Sequence, residues 1–294
     1  MSQKRRGFSI TGAFLLAPLA LGVSSALAVP VPGGTLDPLT IPKYVTPLVI
    51  PPALYDDGGA AMSASVALAE FTQQVLPTSG CLAVQAANPA IACAGDAFPA
   101  TTVWGYGDPD RPGPVATGGS FNNPALTIEV TQNAPTTVTW VNGLVDGSGN
   151  YLQHIIKDAA GKPLIDQTLH WAAPNQNCLD GTPRTDCQGA SALPYEGPVP
   201  MVTHVHGAHV GPISDGYPEA WWLPAARDIP AGYATEGTFY DDINGGAPGT
   251  GSAVYQYKND QPTTTLWYHD HSLGITRLNV YAGMAGFYII RDND

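Results

Sequence analysis

Charge is scarce in this chain of 294 residues. Asp, Glu, Lys and Arg together make 12%, about half the usual share. That excludes a coiled coil, a long helical array or a solvated charged tail, all of which live on patterned charge. Basic residues are the scarcer sign, 12 Lys and Arg against 24 Asp and Glu. A phosphate backbone is held by a basic face, so nucleic acid is excluded as a partner. Cysteine falls to four residues, none in C-x2-4-C spacing and none beside a histidine, which argues against a metal–thiolate site. A membrane-spanning helix needs about 20 apolar residues in a row; the run at residues 10–22 is too short, and no later run reaches that length.

What is present begins with an address. Lys4, Arg5 and Arg6 precede that apolar run, and Ser24-Ser25-Ala26-Leu27-Ala28 closes it with an A-x-A cleavage site. Residues 1–28 are therefore expected to be a signal peptide, and Arg5-Arg6-Gly7-Phe8 fits the twin-arginine type, which exports proteins already folded around a cofactor. The mature protein is expected in the periplasm or outside the cell. In such an oxidising compartment Cys81–Cys93 and Cys178–Cys187 are the favoured disulfides, out of three possible connectivities.

Glycine (33) and proline (28) are plentiful enough to break the chain into short elements, and 44% hydrophobic residues suffice for a core. Residues 29–62, rich in proline, are expected to form an extended arm laid over a domain surface. Residues 63–76 are ambiguous, because Ala, Glu and Gln favour helix while Val66 and Leu68 hint at alternation. Alternating apolar runs predict strands at 102–106, 126–130, 136–141, 201–206, 253–257, 263–271 and 286–291. Residues 79–100 look like a disulfide-closed insertion, 144–199 are mostly loop, and 242–251 form a Gly/Pro-rich loop. Short alternating strands with frequent turns predict an all-β sandwich or Greek-key barrel.

The chemistry lies in the histidines. Of seven, four fall in two H-x-H pairs, His204-Val205-His206 and His269-Asp270-His271. On a strand, residues i and i+2 share a face, so each pair presents two imidazoles side by side, and adjacent strands could present four. Neutral imidazole suits copper and zinc, and the spacing alone does not choose between them. His209 lies off the i, i+2 register, and His154 and His170 lie in the loop-rich stretch without a close partner. They are expected at the surface or behind the ligands rather than among them. Trp221, Trp222, Trp267 and Tyr268 are expected to pack around the site.

His204-Val205-His206-Gly207, followed by Ser214-Asp215-Gly216-Tyr217-Pro218-Glu219-Ala220-Trp221, resembles the first copper segment of the multicopper oxidases, and residues 266–292 resemble their second. The wording is closest to the spore-coat laccase and bilirubin oxidase branch. Val103–Tyr106, Leu126–Val130 and the arm around Ile41–Val45 fit that branch's first domain. The resemblance covers most of residues 40–292 and is patchy through 79–100 and 144–199. It implies a cupredoxin-like Greek-key β-barrel over residues 63–294. It implies copper as cofactor, with His204 a type 2 ligand and His206, His269 and His271 type 3 ligands. It also places Asp215 as a proton relay toward dioxygen under reduction, although an Asp before Gly is equally a turn former.

The resemblance also sets limits. The family's full cluster takes eight histidines, and its His-Cys-His segment, which serves the type 1 copper, has no counterpart here. The expectation is the N-terminal part of a laccase-like oxidase, completed by C-terminal cupredoxin domains of the same gene or of a partner chain. A stand-alone or split copper-binding module without oxidase activity is the alternative, and a mononuclear copper or zinc enzyme is a third reading. Dioxygen and a small reducing substrate would be the reactants, and the identity of that substrate is not legible here.

Overall fold

The computed structural model describes residues 37–47, 49–55, 59–189, 191–240 and 249–292. The expected signal peptide, and the arm as far as residue 36, lie outside the described residues. Among the described residues, nine strands form two sheets. The first runs in the order β1 (Ala53–Tyr55), β4 (Thr127–Thr131), β9 (Ala285–Arg291), β8 (Thr264–Asp270), β6 (Thr203–His206). The second runs β3 (Thr101–Gly107), β2 (Met62–Gln73), β5 (Thr136–Asn142), β7 (Ser252–Tyr257). From β4 onward the chain repeatedly crosses between the sheets, giving the β-sandwich that the strand pattern predicts, of the cupredoxin-like kind that the resemblance implies. No helix among the described residues is long and apolar enough to cross a membrane.

The ambiguous stretch after residue 62 is strand β2. It pairs antiparallel with β3 and parallel with β5. Pairing on both edges, with Val66 and Leu68 fully buried, outweighs the helix propensity of its Ala and Glu residues. The proline-rich arm does more than cover a surface, because Ala53–Tyr55 joins the first sheet in parallel with β4. The insertion at 79–100 holds a short helix, α1 (Cys81–Ala87), closed by the Cys81–Cys93 disulfide. The Cys178–Cys187 disulfide is also formed. Between residues 144 and 199 the described chain makes only isolated bridges, such as His170↔Gln188. A second helix, α2 (Thr276–Ala282), follows the second H-x-H pair where the strand pattern predicted none. Ile275 and Leu278 pack there with Trp171, Tyr195 and the Cys178–Cys187 pair, so the long loop is seated on α2.

The core lies between the sheets. Tyr106, Trp140 and Tyr268 meet with ring centroids 5.1–5.7 Å apart, contacts worth roughly 0.5–1.5 kcal/mol each beyond burial. Tyr268 also donates to the Leu126 carbonyl at 2.6 Å. Opposite it on β9 stands Gly286, where a Cβ would meet the Tyr268 hydroxyl at 2.4 Å. The absent side chain is what lets the tyrosine lie across its neighbouring strand.

Candidate metal centre

Antiparallel pairing of β6 and β8 sets the site. The register is Thr203↔Asp270, His204↔His269, Val205↔Tyr268 and His206↔Trp267. Strand alternation then turns Thr203, Val205, Tyr268 and Asp270 inward, and puts His204, His206, Trp267 and His269 on the outer face. His271 continues that face just past β8, where its backbone N–H donates to the Val202 carbonyl at 2.8 Å. The sequence-predicted quartet is therefore brought together.

The ring of His204 lies 5.6 Å from those of His206 and His269 and 5.1 Å from that of His271. Ring nitrogens of His204, His206 and His269 all fall within 4.8 Å of one another, the spacing of a metal-binding group. His206 Nδ1 and His269 Nε2 are 3.3 Å apart. His271 stands outside that three-nitrogen group, and its buried Nδ1 has no hydrogen-bond partner among the described residues. Trp267 is on this face rather than in the core. It lies 4.1 Å from the His269 ring and stacks on His206. Trp221, Trp222 and Tyr268 are buried in the core, where Trp222 packs on Tyr240 and Tyr255 and Tyr268 on Tyr106 and Trp140.

Carbonyl oxygens orient two of the rings. His269 Nδ1 donates to the Asp270 carbonyl at 2.7 Å, and His204 Nδ1 donates to the Asp215 carbonyl. In both cases the hydrogen sits on Nδ1 and the Nε2 lone pair is left for a metal. The Asp215 carboxylate lies 3.4 Å from His204 Nδ1 and is partly open to solvent. Its segment closes on β6 because the next residue is Gly216, at φ +77°, where a Cβ would meet the Thr203 carbonyl at 2.2 Å.

Burial, with the neighbouring imidazoles, pulls the His269 pKa down to about 4 and lowers that of His271 as well. The His269 ring therefore stays neutral into mild acid. A neutral His269 ring, unprotonated Nε2 atoms on His204 and His269, three converging nitrogens and one orphaned buried nitrogen fit an imidazole-rich metal centre of the kind that suits copper.

The other histidines are elsewhere. His209 is largely exposed, 3.5 Å from Asp260, and His170 pairs with Asp186 at 3.6 Å. His154 is buried, donates to Asn279 at 3.1 Å, and stands behind the ligands. Sequence reasoning gave no role to Asp270, Asn279 or Ser272, which form a buried polar cluster on the inner side of the same strands. The signal was available: in H-D-H on a core strand, the middle residue must point inward, and an inward carboxylate needs partners.

A family model described as multicopper oxidase matches residues 243–294. The chain is 32% identical over 291 residues to a laccase of Haloferax volcanii, a match covering 97% of this chain and 36% of that protein. It is 34% identical over 196 residues to a laccase of Bacillus subtilis, covering 66% of this chain and 26% of that one. A solved multicopper oxidase of Campylobacter jejuni, described as a metallo-oxidase, aligns at 15% identity and a TM-score of 0.43, covering 88% of this chain and 32% of that one. The chain thus spans about a third of the length of the first of these relatives.

Proposed function

We propose that this chain, a relative of the multicopper oxidases, is the N-terminal cupredoxin part (residues 63–294) of a laccase-like oxidase and supplies half of its oxygen-reducing copper cluster. The observation that carries the reading is the convergence of the four imidazoles on one face of β6 and β8, with three ring nitrogens mutually within 4.8 Å. In this reading His204 holds the type 2 copper, and His206, His269 and His271 hold type 3 copper. The chemistry copper supplies when bound is the four-electron reduction of dioxygen to water, coupled to oxidation of a reducing substrate.

The chain's own residues have distinct parts in it. The Asp270 and Asp215 carbonyls keep hydrogens on the Nδ1 atoms of His269 and His204, so their Nε2 atoms face the metal side. The Asp215 carboxylate touches both solvent and the His204 ring edge, a placement suited to holding a proton on Oδ1 and passing it inward. Trp267 shields His206 and His269 from bulk water on one side. The remaining ligands and the substrate-oxidising site would come from C-terminal domains, in the same polypeptide or a partner chain. Exposed Trp267 (38%) and Phe287 (45%), neighbours across β8 and β9 beside the histidines, offer apolar surface for that association. Export through residues 1–28 is part of the proposal, and two formed disulfides support it.

Copper bound per chain, measured by elemental analysis together with the electron paramagnetic resonance of Cu(II), tests the reading. Nitrogen-coordinated copper that disappears when His204, His206, His269 and His271 are replaced together by alanine is the expected result. Copper uptake unchanged by that replacement would sink it.

A further inference from the structure

We infer that Asp270, backed by Asn279 and His154, is a positioning residue that sets the spacing between the two H-x-H pairs. The inference rests on the copper reading above for its purpose, and on hydrogen-bond geometry for its substance. Asp270 stands between two proposed ligands but points to the other side of the strand, into the core, where it is fully buried. Its Oδ1 accepts from the Val202 N–H at 3.1 Å and the Ser272 hydroxyl at 2.8 Å. Its Oδ2 accepts from the Ser272 N–H and from Asn279 Nδ2, each at 3.0 Å. Val202 lies two residues before His204, and Ser272 directly follows His271. One carboxylate therefore grips the backbone at the entrance of the first pair and at the exit of the second. The His271 N–H to Val202 carbonyl bond closes the same clamp from the other direction.

The support behind Asp270 runs one way. The Ile156 N–H donates to His154 Nδ1 at 3.0 Å, which puts the ring hydrogen on Nε2. His154 Nε2 then donates to Asn279 Oδ1, which fixes the amide so that its Nδ2 faces Asp270 and the Pro200 carbonyl. Each polar atom orients the next, and the chain ends on the carboxylate. An apolar residue at 270 would avoid the cost of burying an acid, but it could not hold two backbone N–H groups of different segments at a fixed separation.

The full chain carries the test. Cu(II) titrations and Cu(II) paramagnetic resonance spectra are compared for the wild type, D270N, D270N/N279D and V138A, the last a core truncation in the second sheet away from the network. D270N sets an amide donor against the Ser272 and Asn279 donors; copper affinity should fall at least about tenfold, with an altered nitrogen hyperfine pattern. The double variant turns the amide–carboxylate bond around and should recover at least about half of that loss on a logarithmic scale, while V138A stays within about twofold. Equal losses in D270N and V138A, or no recovery in the double variant, overturn the inference. Imidazole resonances of the metal-free chain keep it separate from the copper reading. If the wild type takes up no copper, that reading fails, yet D270N must still shift the His204 and His271 resonances and D270N/N279D restore them; unmoved resonances overturn the inference. Should D270N not fold, N279A removes one of the four donors to Asp270, together with the acceptor of His154, and is expected to cost about threefold in affinity or shift the same resonances, and no change in either overturns the inference.

Discussion

The two faces of strands β6 and β8 handle polar groups in opposite ways. On the inner face Asp270, Ser272, Asn279 and His154 are buried, and the Asp270 carboxylate accepts four hydrogen bonds. On the outer face four imidazoles crowd together with few protein partners, and His271 Nδ1 has none among the described residues. A satisfied network is rigid, and a cluster of unsatisfied lone pairs of like chemistry is unfavourable until something binds it. Alternation on a strand places these two arrangements back to back, one residue apart, so the rigid side can set the geometry of the reactive one.

The largest expected effect breaks the inner face. Asp270→Ala leaves the Val202 and Ser272 N–H groups without their acceptor, and leaves the Ser272 hydroxyl and Asn279 Nδ2 with the Pro200 carbonyl alone. At about 1–3 kcal/mol for each uncompensated buried group, with partial relaxation, a stability loss of about 4 kcal/mol is expected. Urea denaturation of the metal-free chain measures it, and a loss under about 1 kcal/mol would mean that the network does not brace the strands.

Acid should act in opposite directions on the buried histidines and on Asp270. His154 and His269 are each held down to about 4 by burial, and His271 is also lowered, against an ordinary value near 6.5. Between these values the unfolded chain takes up protons that the folded chain refuses, so stability falls as pH drops from about 6.5 toward 4. Asp270 works the other way. Burial raises it to about 7, so the folded chain keeps a proton that the unfolded chain has released, and stability rises as pH falls from about 7 toward 3.8. His154 and His269 against Asp270 leave a net loss on the order of 2 kcal/mol across that window, and the lowering of His271 acts in the same direction. His154→Gln, which keeps a donor for Asn279, should flatten the loss. Denaturation midpoints at pH 7 and pH 4.5 for both proteins decide it, and identical slopes would remove His154 from the account.

His206→Ala sharpens the contrast from the outer side. His206 is exposed, and its loss should change folding stability by no more than about 0.5 kcal/mol. Copper affinity should nevertheless fall at least about tenfold, since one of three converging nitrogens is gone. Calorimetric copper titration beside a thermal melt reads both. A variant that loses stability but keeps its copper affinity would reverse the roles assigned to the two faces.

Much of the outer face is legible in the sequence. H-x-H in an apolar run specifies two imidazoles on one face, and the register His204↔His269 joins the pairs as expected. Most strands begin or end within a residue or two of where alternation placed them. The inner face was harder to read because its members are scattered: His154 lies in a loop without alternation, and Asn279 on a short helix embedded in a strand-like context. Their connection is long-range, 125 residues between His154 and Asn279, and no local pattern encodes it. Strand β2 was ambiguous for a related reason, since its residues favour helix locally and its two neighbours decide otherwise.

The smallest expected effect falls at the edge between the two faces, on Asp215. His204 Nδ1 is held chiefly by the backbone carbonyl of Asp215, and the carboxylate stands 3.4 Å away, partly in solvent. Asp215→Asn keeps the carbonyl and nearly the same shape, so His204 should stay oriented. Copper affinity of the chain should change by less than about threefold, and stability by less than about 0.5 kcal/mol. If the side chain instead relays protons, its removal should appear only when the chain is assembled with its C-terminal domains. Dioxygen consumption would then slow, and its pH dependence would move, while copper content stays constant. Loss of copper in D215N would show that the carboxylate helps to hold His204. In that case Asp215 would join Asp270 as a support, and proton delivery would have to be sought at another residue.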